Sequence, residues 1–209
     1  MDRKKFLKKV GLGISLVAGT RILTSCKDKD EDQRSTEDCK LTGSDILGPY
    51  FVANSSNIVN LNTMNLPGTT MMMMGKVYSG EGTNTPVVGA KIEIWHADDA
   101  GAYHPEGSGD VSDYDPSEIT LRGFVLTEAD GSYAFQSIRP GLYGSRARHI
   151  HFKVTATDHP DLVTQTYFEG DSRISEDAFA KDAGDCRIVS YTDDGNGVVV
   201  GVMDFNLEA

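Results

Sequence analysis

The chain has 209 residues, of which 39% are hydrophobic and 24% are charged, and its formal net charge is −11. This length is enough for one domain with a sizeable core and some additional chain at its ends. The first 25 residues hold six Lys/Arg and one Asp, so the remainder holds 14 Lys/Arg against 30 Asp/Glu. Phosphate binding needs a basic face, so this acidic body argues against nucleic acid as a partner. No apolar run reaches the roughly 20 residues that a membrane-spanning helix requires.

Residues 1–25 have the pattern of an export signal. A basic stretch, Arg3–Lys9, is followed by a short, weakly apolar stretch, Gly11–Thr20. Leu23-Thr24-Ser25-Cys26 then resembles the bacterial lipobox, in which cleavage leaves the cysteine as a lipid-modified N-terminus. We therefore expect a lipoprotein signal peptide and an exported protein, anchored by Cys26 to a bacterial membrane at its periplasmic face or at the cell surface. The alternative is an N-terminal amphipathic helix of the domain.

Residues 26–40 are rich in Lys, Asp, Glu, Ser and Thr, which cannot bury a core, and they are predicted to form a flexible tether. Two cysteines remain, Cys39 and Cys186. An even number in an exported chain favours a disulfide between them. Two free thiols are the alternative, because the sequence does not give the distance between the two Cα atoms.

Residues 41–209 show no internal repeat and are predicted to form a single domain. The expected strands, in chain order, are Met72–Tyr78, Lys91–Trp95, Leu121–Thr127, Ser132–Phe135, His149–Thr155 and Val198–Phe205. The Asp130-Gly131 turn between two of them is a strong hairpin signal. Helical periodicity is scarce, with one or two turns expected in Ser175–Asp182. This pattern predicts an all-β sandwich or barrel, with long functional loops at Asp98–Pro116 and Gln165–Thr192.

His149 and His151 alternate with Ile150 and Phe152, which predicts a strand that presents two imidazoles on one face. Imidazole is the commonest protein ligand for transition metals, so the pair is a candidate half of a metal site. The alternative is two exposed strand histidines without a task.

Tyrosines occupy the conspicuous turn positions that could complete such a site. Tyr103 follows Gly101-Ala102, and Tyr143 follows Pro140-Gly141-Leu142. The pKa of a free phenol is about 10, so a phenolate ligand at neutral pH requires a hard, strongly Lewis-acidic cation, and Fe(III) fits. Zn(II) is the competing metal, but it would require a third His, a Cys or a carboxylate.

Several segments, covering about residues 40–175, resemble the intradiol ring-cleavage dioxygenases, the non-haem Fe(III) family related to catechol 1,2-dioxygenase and protocatechuate 3,4-dioxygenase. In the family's order they are Leu47–Val52, Pro86–Trp95, Gly101–Tyr103, Arg122–Phe135, Pro140–Tyr143, Arg146–Phe152 and Thr164–Asp171.

The resemblance implies a β-sandwich of mixed sheets with one iron site. The implied Fe(III) ligands are Tyr103, Tyr143, His149 and His151. Arg146 is implied as the catalytic cation beside the substrate, and Tyr143 as a base as well as a ligand. Pro49, Tyr50, Trp95 and Gln165 are implied as substrate-binding residues, and the alternative for Trp95 is a residue of the core.

The implied reaction uses O2 to cleave a catechol-type ring between its two hydroxyl-bearing carbons, giving a muconate-type diacid. Only five residues separate Tyr143 from His149, fewer than in the better-known cytoplasmic relatives, so the choice of substrate does not transfer. The alternative function is a non-catalytic cell-surface β-sandwich that binds or carries a ligand, since fold does not guarantee activity. A zinc hydrolase is a third hypothesis.

Other residues that could suggest ligands are expected to be structural. Tyr133 alternates with Phe135 and is predicted to lie in the core. His96 and His104 are expected to be exposed or structural. The run Met71–Met74 is expected to be pliable apolar filling at the start of a strand. The acidic pairs Asp98-Asp99 and Asp193-Asp194 are expected to be solvated turns.

Overall fold

The computed structural model describes residues 40–81, 85–184 and 186–209, all of which fall in one compact unit. The predicted signal peptide, Cys26, Cys39 and nearly all of the predicted tether lie outside the described residues, so these assignments stay predictions. In the described part of the chain, no helix is long and apolar enough to cross a membrane.

Short strands dominate the described chain. In order they are β1 (Val52–Ala53), β2 (Thr70–Ser79), β3 (Lys91–Trp95), β4 (Gly109–Asp110), β5 (Arg122–Leu126), β6 (Ser132–Ile138), β7 (His149–Thr155), β8 (Leu162–Phe168), β9 (Ile188–Val189), β10 (Tyr191–Asp193), β11 (Val199–Val202) and β12 (Phe205–Leu207). Two single turns of 3-10 helix, Val111–Asp113 and Pro116–Glu118, follow β4.

Strands β1 and β4 pair in parallel as a separate two-stranded sheet, and the other ten of these strands form two five-stranded sheets. One has the order β10-β11-β2-β12, with β6 also paired to β2, and the other has the order β5-β3-β7-β8-β9. Each of these two sheets is mixed, since β11 and β12 run parallel to β2 and β9 runs parallel to β8, while their other pairs are antiparallel. One apolar cluster includes Met73 and Phe135 from the first sheet and Ile92 and Phe152 from the second. The sheets therefore pack face to face, and the predicted all-β sandwich of mixed sheets is confirmed.

The C-terminal strand differs from the prediction. The continuous strand expected at Val198–Phe205 is two strands, β11 and β12, both parallel to β2 and interrupted at Met203-Asp204. The Asp204 carboxylate accepts the Lys76 amide at 2.7 Å. At this break a Cβ on Gly75 would lie 1.7 Å from the Met203 carbonyl oxygen, so only glycine allows the close approach.

The two ends of the described domain are joined by a pair of hydrogen bonds. The Thr42 amide donates to the Asn206 carbonyl at 3.0 Å, and the Asn206 amide donates to the Thr42 hydroxyl at 2.8 Å. The first described segment is thereby attached to β12.

Strand β7 is the element that positions the site. Ile150, Phe152 and Val154 point into the core between the sheets, so alternation places His149 and His151 on the opposite face. This imidazole face of β7 is not open to solvent, because His149 and His151 are only 4% and 3% exposed. The alternative of two exposed strand histidines is wrong.

Cys186 is disulfide-bonded. Its predicted partner, Cys39, lies outside the described residues, so this pairing stays a prediction.

Tyr133 lies in the core, as predicted, and its hydroxyl donates to the Met203 carbonyl at 2.7 Å. We predict that Tyr133→Phe lowers the free energy of unfolding by about 1–2 kcal/mol, because a buried carbonyl loses its donor. Urea unfolding followed by circular dichroism measures this. Tyr191→Phe is the matched control, since the Tyr191 hydroxyl makes only a 3.8 Å contact with the Met73 sulfur. Equal losses for the two variants would contradict the prediction.

Candidate metal centre

The register of three strands places four of the predicted site residues on one face of the second sheet. His151 lies opposite Trp95 of β3 and Gln165 of β8, and His149 lies opposite Tyr167. Directly paired residues of neighbouring strands point to the same side of a sheet. The sheet therefore groups Trp95, His151 and Gln165 in one row, with His149 and Tyr167 in the next.

His149 is held in one orientation and one tautomer. Its Nδ1 lies 2.7 Å from the Ala147 carbonyl oxygen, which can only accept, so Nδ1 carries the proton. The lone pair is then on Nε2, which accepts from the Tyr103 hydroxyl at 3.2 Å. A backbone carbonyl that fixes the ring in this way is the usual arrangement behind a metal-binding histidine.

Tyr103 is buried, with 3% of its surface exposed, and burial raises the pKa of its phenol above the ordinary value. The loop that carries it closes tightly, because a Cβ on Gly101 (φ +90°) would lie 2.3 Å from the Leu142 carbonyl oxygen. The glycine thus brings the Tyr103 and Tyr143 loops together, and the two rings meet edge to face with centroids 5.5 Å apart.

A third phenol, that of Tyr50, contacts Tyr143 from another loop. The Tyr50 and Tyr143 hydroxyls share a hydrogen bond of 2.7 Å, and the Tyr50 ring stacks on Tyr103 with centroids 4.3 Å apart. The hydrogen bond to Tyr143, with burial, raises the pKa of Tyr50 to about 12. Pro49, the adjacent predicted substrate-binding residue, is exposed beside this cluster.

His151 lies against Trp95 and the chain at Gly48. The indole and imidazole rings stack with centroids 5.0 Å apart and an angle of 7°. Gly48 (φ +74°) passes so close that a Cβ there would lie 3.0 Å from the His151 Cε1. His151 Nδ1 is buried without a hydrogen-bond partner among the described residues. A buried ring nitrogen without a partner, on an imidazole whose ring centroid is 6.2 Å from that of Tyr103, fits a residue that binds a metal ion.

Both imidazoles are neutral at neutral pH, the form in which imidazole binds metals. Burial lowers the pKa of His149 to about 4 and lowers the pKa of His151 well below its ordinary value. The nearby Arg146 charge acts in the same direction on both.

Arg146 and Gln165 lie together at the edge of this cluster. Arg146 Nη2 donates to Gln165 Oε1 at 2.9 Å, and Arg146 Nε donates to Asp177 at 2.7 Å. Gln165 is fully buried, and its amide nitrogen donates to Asp45 and to the Ile46 carbonyl, each at 3.1 Å. Gln165 thus connects Arg146 to the segment that carries Tyr50.

Several residues that sequence reasoning missed hold this arrangement. Asp45 accepts from Arg187 at 2.5 Å and from the Tyr167 hydroxyl at 2.8 Å. Arg122, 3% exposed, donates to the carbonyls of Tyr50, His104 and Pro105. Tyr167 was recognisable in the sequence, because it shares a face with Gln165 two residues earlier. Asp45 and Arg187 carry no local signal.

The two histidines that follow Trp95 in the sequence, His96 and His104, have structural roles. His96 is buried, donates from Nδ1 to the Ala97 carbonyl and accepts from the Ser137 hydroxyl, both at 2.7 Å. His104 pairs with Asp98 at 2.8 Å. The Asp98 carboxylate also accepts two amides of its own turn. In the described part of the chain, no group of three or more His, Cys, Asp or Glu side chains could hold a metal ion, whereas the Tyr103 hydroxyl lies 3.2 Å from His149 Nε2.

The structure thus brings together all four predicted ligands. Tyr103 contacts His149, Tyr143 contacts Tyr103, and His151 and His149 lie edge to face with centroids 4.9 Å apart. Two phenols and two neutral imidazoles form a donor set suited to a trivalent, oxygen-preferring cation.

Comparison with known proteins identifies the family of the chain. A family model described as Dioxygenase matches residues 46–208. Chlorocatechol 1,2-dioxygenase of Rhodococcus opacus is 30% identical over 189 residues, which span 79% of this chain and 71% of that enzyme. Catechol 1,2-dioxygenase 2 of Acinetobacter lwoffii is 33% identical over 159 residues, spanning 65% of this chain and 54% of that enzyme. The chain matches only about half the length of several such relatives.

Solved structures give the same result. The dioxygenase domain of a dioxygenase carbohydrate-binding fusion from Streptomyces sp. SirexAA-E is 32% identical with a TM-score of 0.68, covering 81% of this chain and 99% of that one. Catechol 1,2-dioxygenase from Pseudomonas arvilla C-1 is 27% identical with a TM-score of 0.66. The match covers 80% of this chain and 62% of that one. On the family match over residues 46–208 and the identity to these relatives, the chain belongs to the intradiol ring-cleavage dioxygenase family.

Proposed function

We propose that this protein is a non-haem Fe(III) dioxygenase that uses O2 to cleave catechol-type aromatics between their hydroxyl-bearing carbons, giving muconate-type diacids. The observation that carries the proposal is one cluster of two phenols and two imidazoles, in which Tyr103 contacts both Tyr143 and His149, and His149 contacts His151. The relatives named for catechol, chlorocatechol and hydroxyquinol support the substrate class.

The residues present fit an iron ion. His149 Nε2 bears its lone pair toward Tyr103, and His151 retains a buried ring nitrogen without a partner among the described residues. Burial alone would keep Tyr103 protonated, so this phenol needs a strong positive charge to act as an anionic ligand. Fe(III) bound by Tyr103, Tyr143, His149 and His151 would supply that charge, together with Lewis acidity that draws electron density from a bound catecholate.

The protein's own side chains handle protons and charge. A catechol must lose two hydroxyl protons to bind as a dianion. With iron bound, the Tyr143 phenolate would accept one of them, and a hydroxide ion from solvent would accept the other and become water. The neutral Tyr143 hydroxyl then has a partner already in place, the Tyr50 hydroxyl at 2.7 Å. Arg146, whose charge is felt by Tyr103 and both imidazoles, would stabilise negative charge developing on the ring.

The pocket residues fall into two groups. Tyr50 stacks on Tyr103, and Pro49 is exposed beside it, so these two are placed to contact an entering substrate. Trp95 is buried and stacks on His151, and Gln165 is buried and accepts a hydrogen bond from Arg146. We infer that these two residues hold the site residues in place and do not contact the substrate directly.

The test of this function uses the purified full chain loaded with Fe(III). We predict oxygen uptake with at least one of catechol, protocatechuate and hydroxyquinol, one O2 per ring cleaved, and a muconate-type diacid identified by mass spectrometry. We also expect a red-brown colour from tyrosinate-to-Fe(III) charge transfer. A colourless iron-loaded protein without oxygen uptake would instead favour a non-catalytic binding module, and chelator-sensitive hydrolysis would favour a zinc enzyme.

Tyr143→Phe tests the base and ligand role of this phenol. We predict that kcat falls by roughly 10²- to 10⁴-fold, as expected when a positioned acid–base group is removed. The visible absorption band should also shift, while the midpoint of thermal unfolding changes little. Tyr78→Phe, a change on β2 in the other sheet, is the control and should leave turnover and colour unaltered. Unchanged catechol turnover by Tyr143→Phe would remove Tyr143 from the site.

We further propose that the protein is exported and held at a bacterial membrane by lipid on Cys26. The support is the lipobox-like Leu23-Thr24-Ser25-Cys26 sequence after a basic stretch. We predict that Cys26→Ser releases the protein from the membrane fraction of expressing bacteria, measured by sedimentation and immunoblotting. Ser35→Ala, a change in the predicted tether, is the matched control and should still sediment with membranes, and sedimentation of both variants would disprove the anchor.

A further inference from the structure

The five residues between Tyr143 and His149 are fixed by one loop, residues 171–184. Three side chains of this loop bind the backbone of the segment. Arg173 donates to the Gly144 carbonyl at 2.8 Å, Asp171 accepts the Arg148 amide at 2.9 Å, and Asp177 accepts the Ala147 amide at 2.8 Å. The segment that connects a proposed tyrosine ligand to a proposed histidine ligand is therefore held from outside.

Asp177 is the buried member of this group and accepts four hydrogen bonds. Its side chain is completely buried, and one carboxylate oxygen accepts both Arg146 Nε at 2.7 Å and the Ala147 amide at 2.8 Å. The other oxygen accepts the amides of Phe179 at 2.9 Å and Ala180 at 3.3 Å. A buried carboxylate with four donors is rigidly placed, because every donor would lose a partner if it moved.

The first connection from Asp177 leads to the Arg146 guanidinium. Asp177 binds Nε, Gln165 binds Nη2 at 2.9 Å, and the Phe179 ring lies 4.5 Å from the guanidinium carbon. An arginine side chain has many rotamers. Here the two hydrogen bonds at the edges of the guanidinium and the aromatic ring against its face together select one orientation of the guanidinium plane. Asp177 supplies the only carboxylate among them and thereby fixes where the positive charge points.

The second connection leads to the His149 imidazole. Asp177 binds the Ala147 amide, and the carbonyl of that same residue accepts His149 Nδ1–H at 2.7 Å. Ala147 thus relates the carboxylate to the tautomer and direction of His149 through the two successive peptide units that meet at its Cα. Outer partners of this kind commonly change metal affinity or activity when they are removed.

We infer that Asp177 is a positioning residue that aligns the Arg146 guanidinium with the site and, through Ala147, sets the orientation of His149. The inference deepens the proposed function and rests on it for the roles of Arg146 and His149. Asp177 itself contacts no predicted ligand.

The test compares Asp177→Asn with Glu176→Gln in the full Fe(III)-loaded chain. Glu176 is the exposed neighbour of Asp177 in the same loop, so its variant loses one charge without touching Arg146 or Ala147. With catechol as the probe, we expect D177N to lower kcat by about 10- to 100-fold, as for a misplaced catalytic group. KM should change by less than kcat, iron content should be retained, and the visible absorption band should shift. E176Q should match the wild type in all four measurements.

A crystal structure of D177N gives a second readout that does not depend on turnover. We expect the Arg146 guanidinium to leave Gln165 and the His149 ring to rotate. Asp177→Glu keeps the charge, so it should recover part of the lost kcat, and it replaces D177N in every measurement if D177N does not fold. Unchanged kcat and an unmoved Arg146 and His149 would overturn the inference. If the wild type turns over no catechol, the proposed function fails, while the crystal structures still decide whether Asp177 positions these two side chains.

Discussion

The burial of the imidazole face of β7 is the constraint on which the rest of the structure depends. Alternation along β7 places Ile150, Phe152 and Val154 in the core, so His149 and His151 necessarily occupy the other face. In most sandwiches that outer face meets water, but here both imidazoles are almost completely covered. Loops must therefore supply the cover and the hydrogen-bond partners that water would have given.

Covering this face requires charged groups to be buried in pairs. Asp45 with Arg187 and Asp177 with Arg146 form short ion pairs whose carboxylates are nearly inaccessible. Gln165 connects the two pairs, since it accepts from Arg146 and donates to Asp45. Removing one partner from such a pair commonly costs about 3–5 kcal/mol, because the other charge stays buried and unpaired. The network therefore makes the loops around the site mutually dependent and gives Arg146 a fixed direction.

The sequence was sufficient for the features that local patterns encode. The alternation from His149 to Phe152 predicted β7 and its two faces. Local patterns placed Tyr103 and Tyr143 at turns, and only the family resemblance implied that the two residues lie together. The break between β11 and β12 was not predictable, since it depends on how closely Gly75 passes the Met203 carbonyl across two strands. The contact between Asp45 and Arg187 could not be predicted from the sequence either, because the two residues are 142 positions apart and no periodicity relates them.

The hydrogen bonds between Thr42 and Asn206 have a consequence for biosynthesis. The beginning of the domain cannot be attached until the last strand has left the ribosome, and β2, near the start, pairs only with strands from later in the chain. Such distant pairings make folding slow, on the order of milliseconds to seconds, because long loops must close before they are stabilised. The two histidines are therefore exposed to water from their synthesis until the domain has folded, and any ion captured during that interval binds a polypeptide that has not yet assembled its ligands.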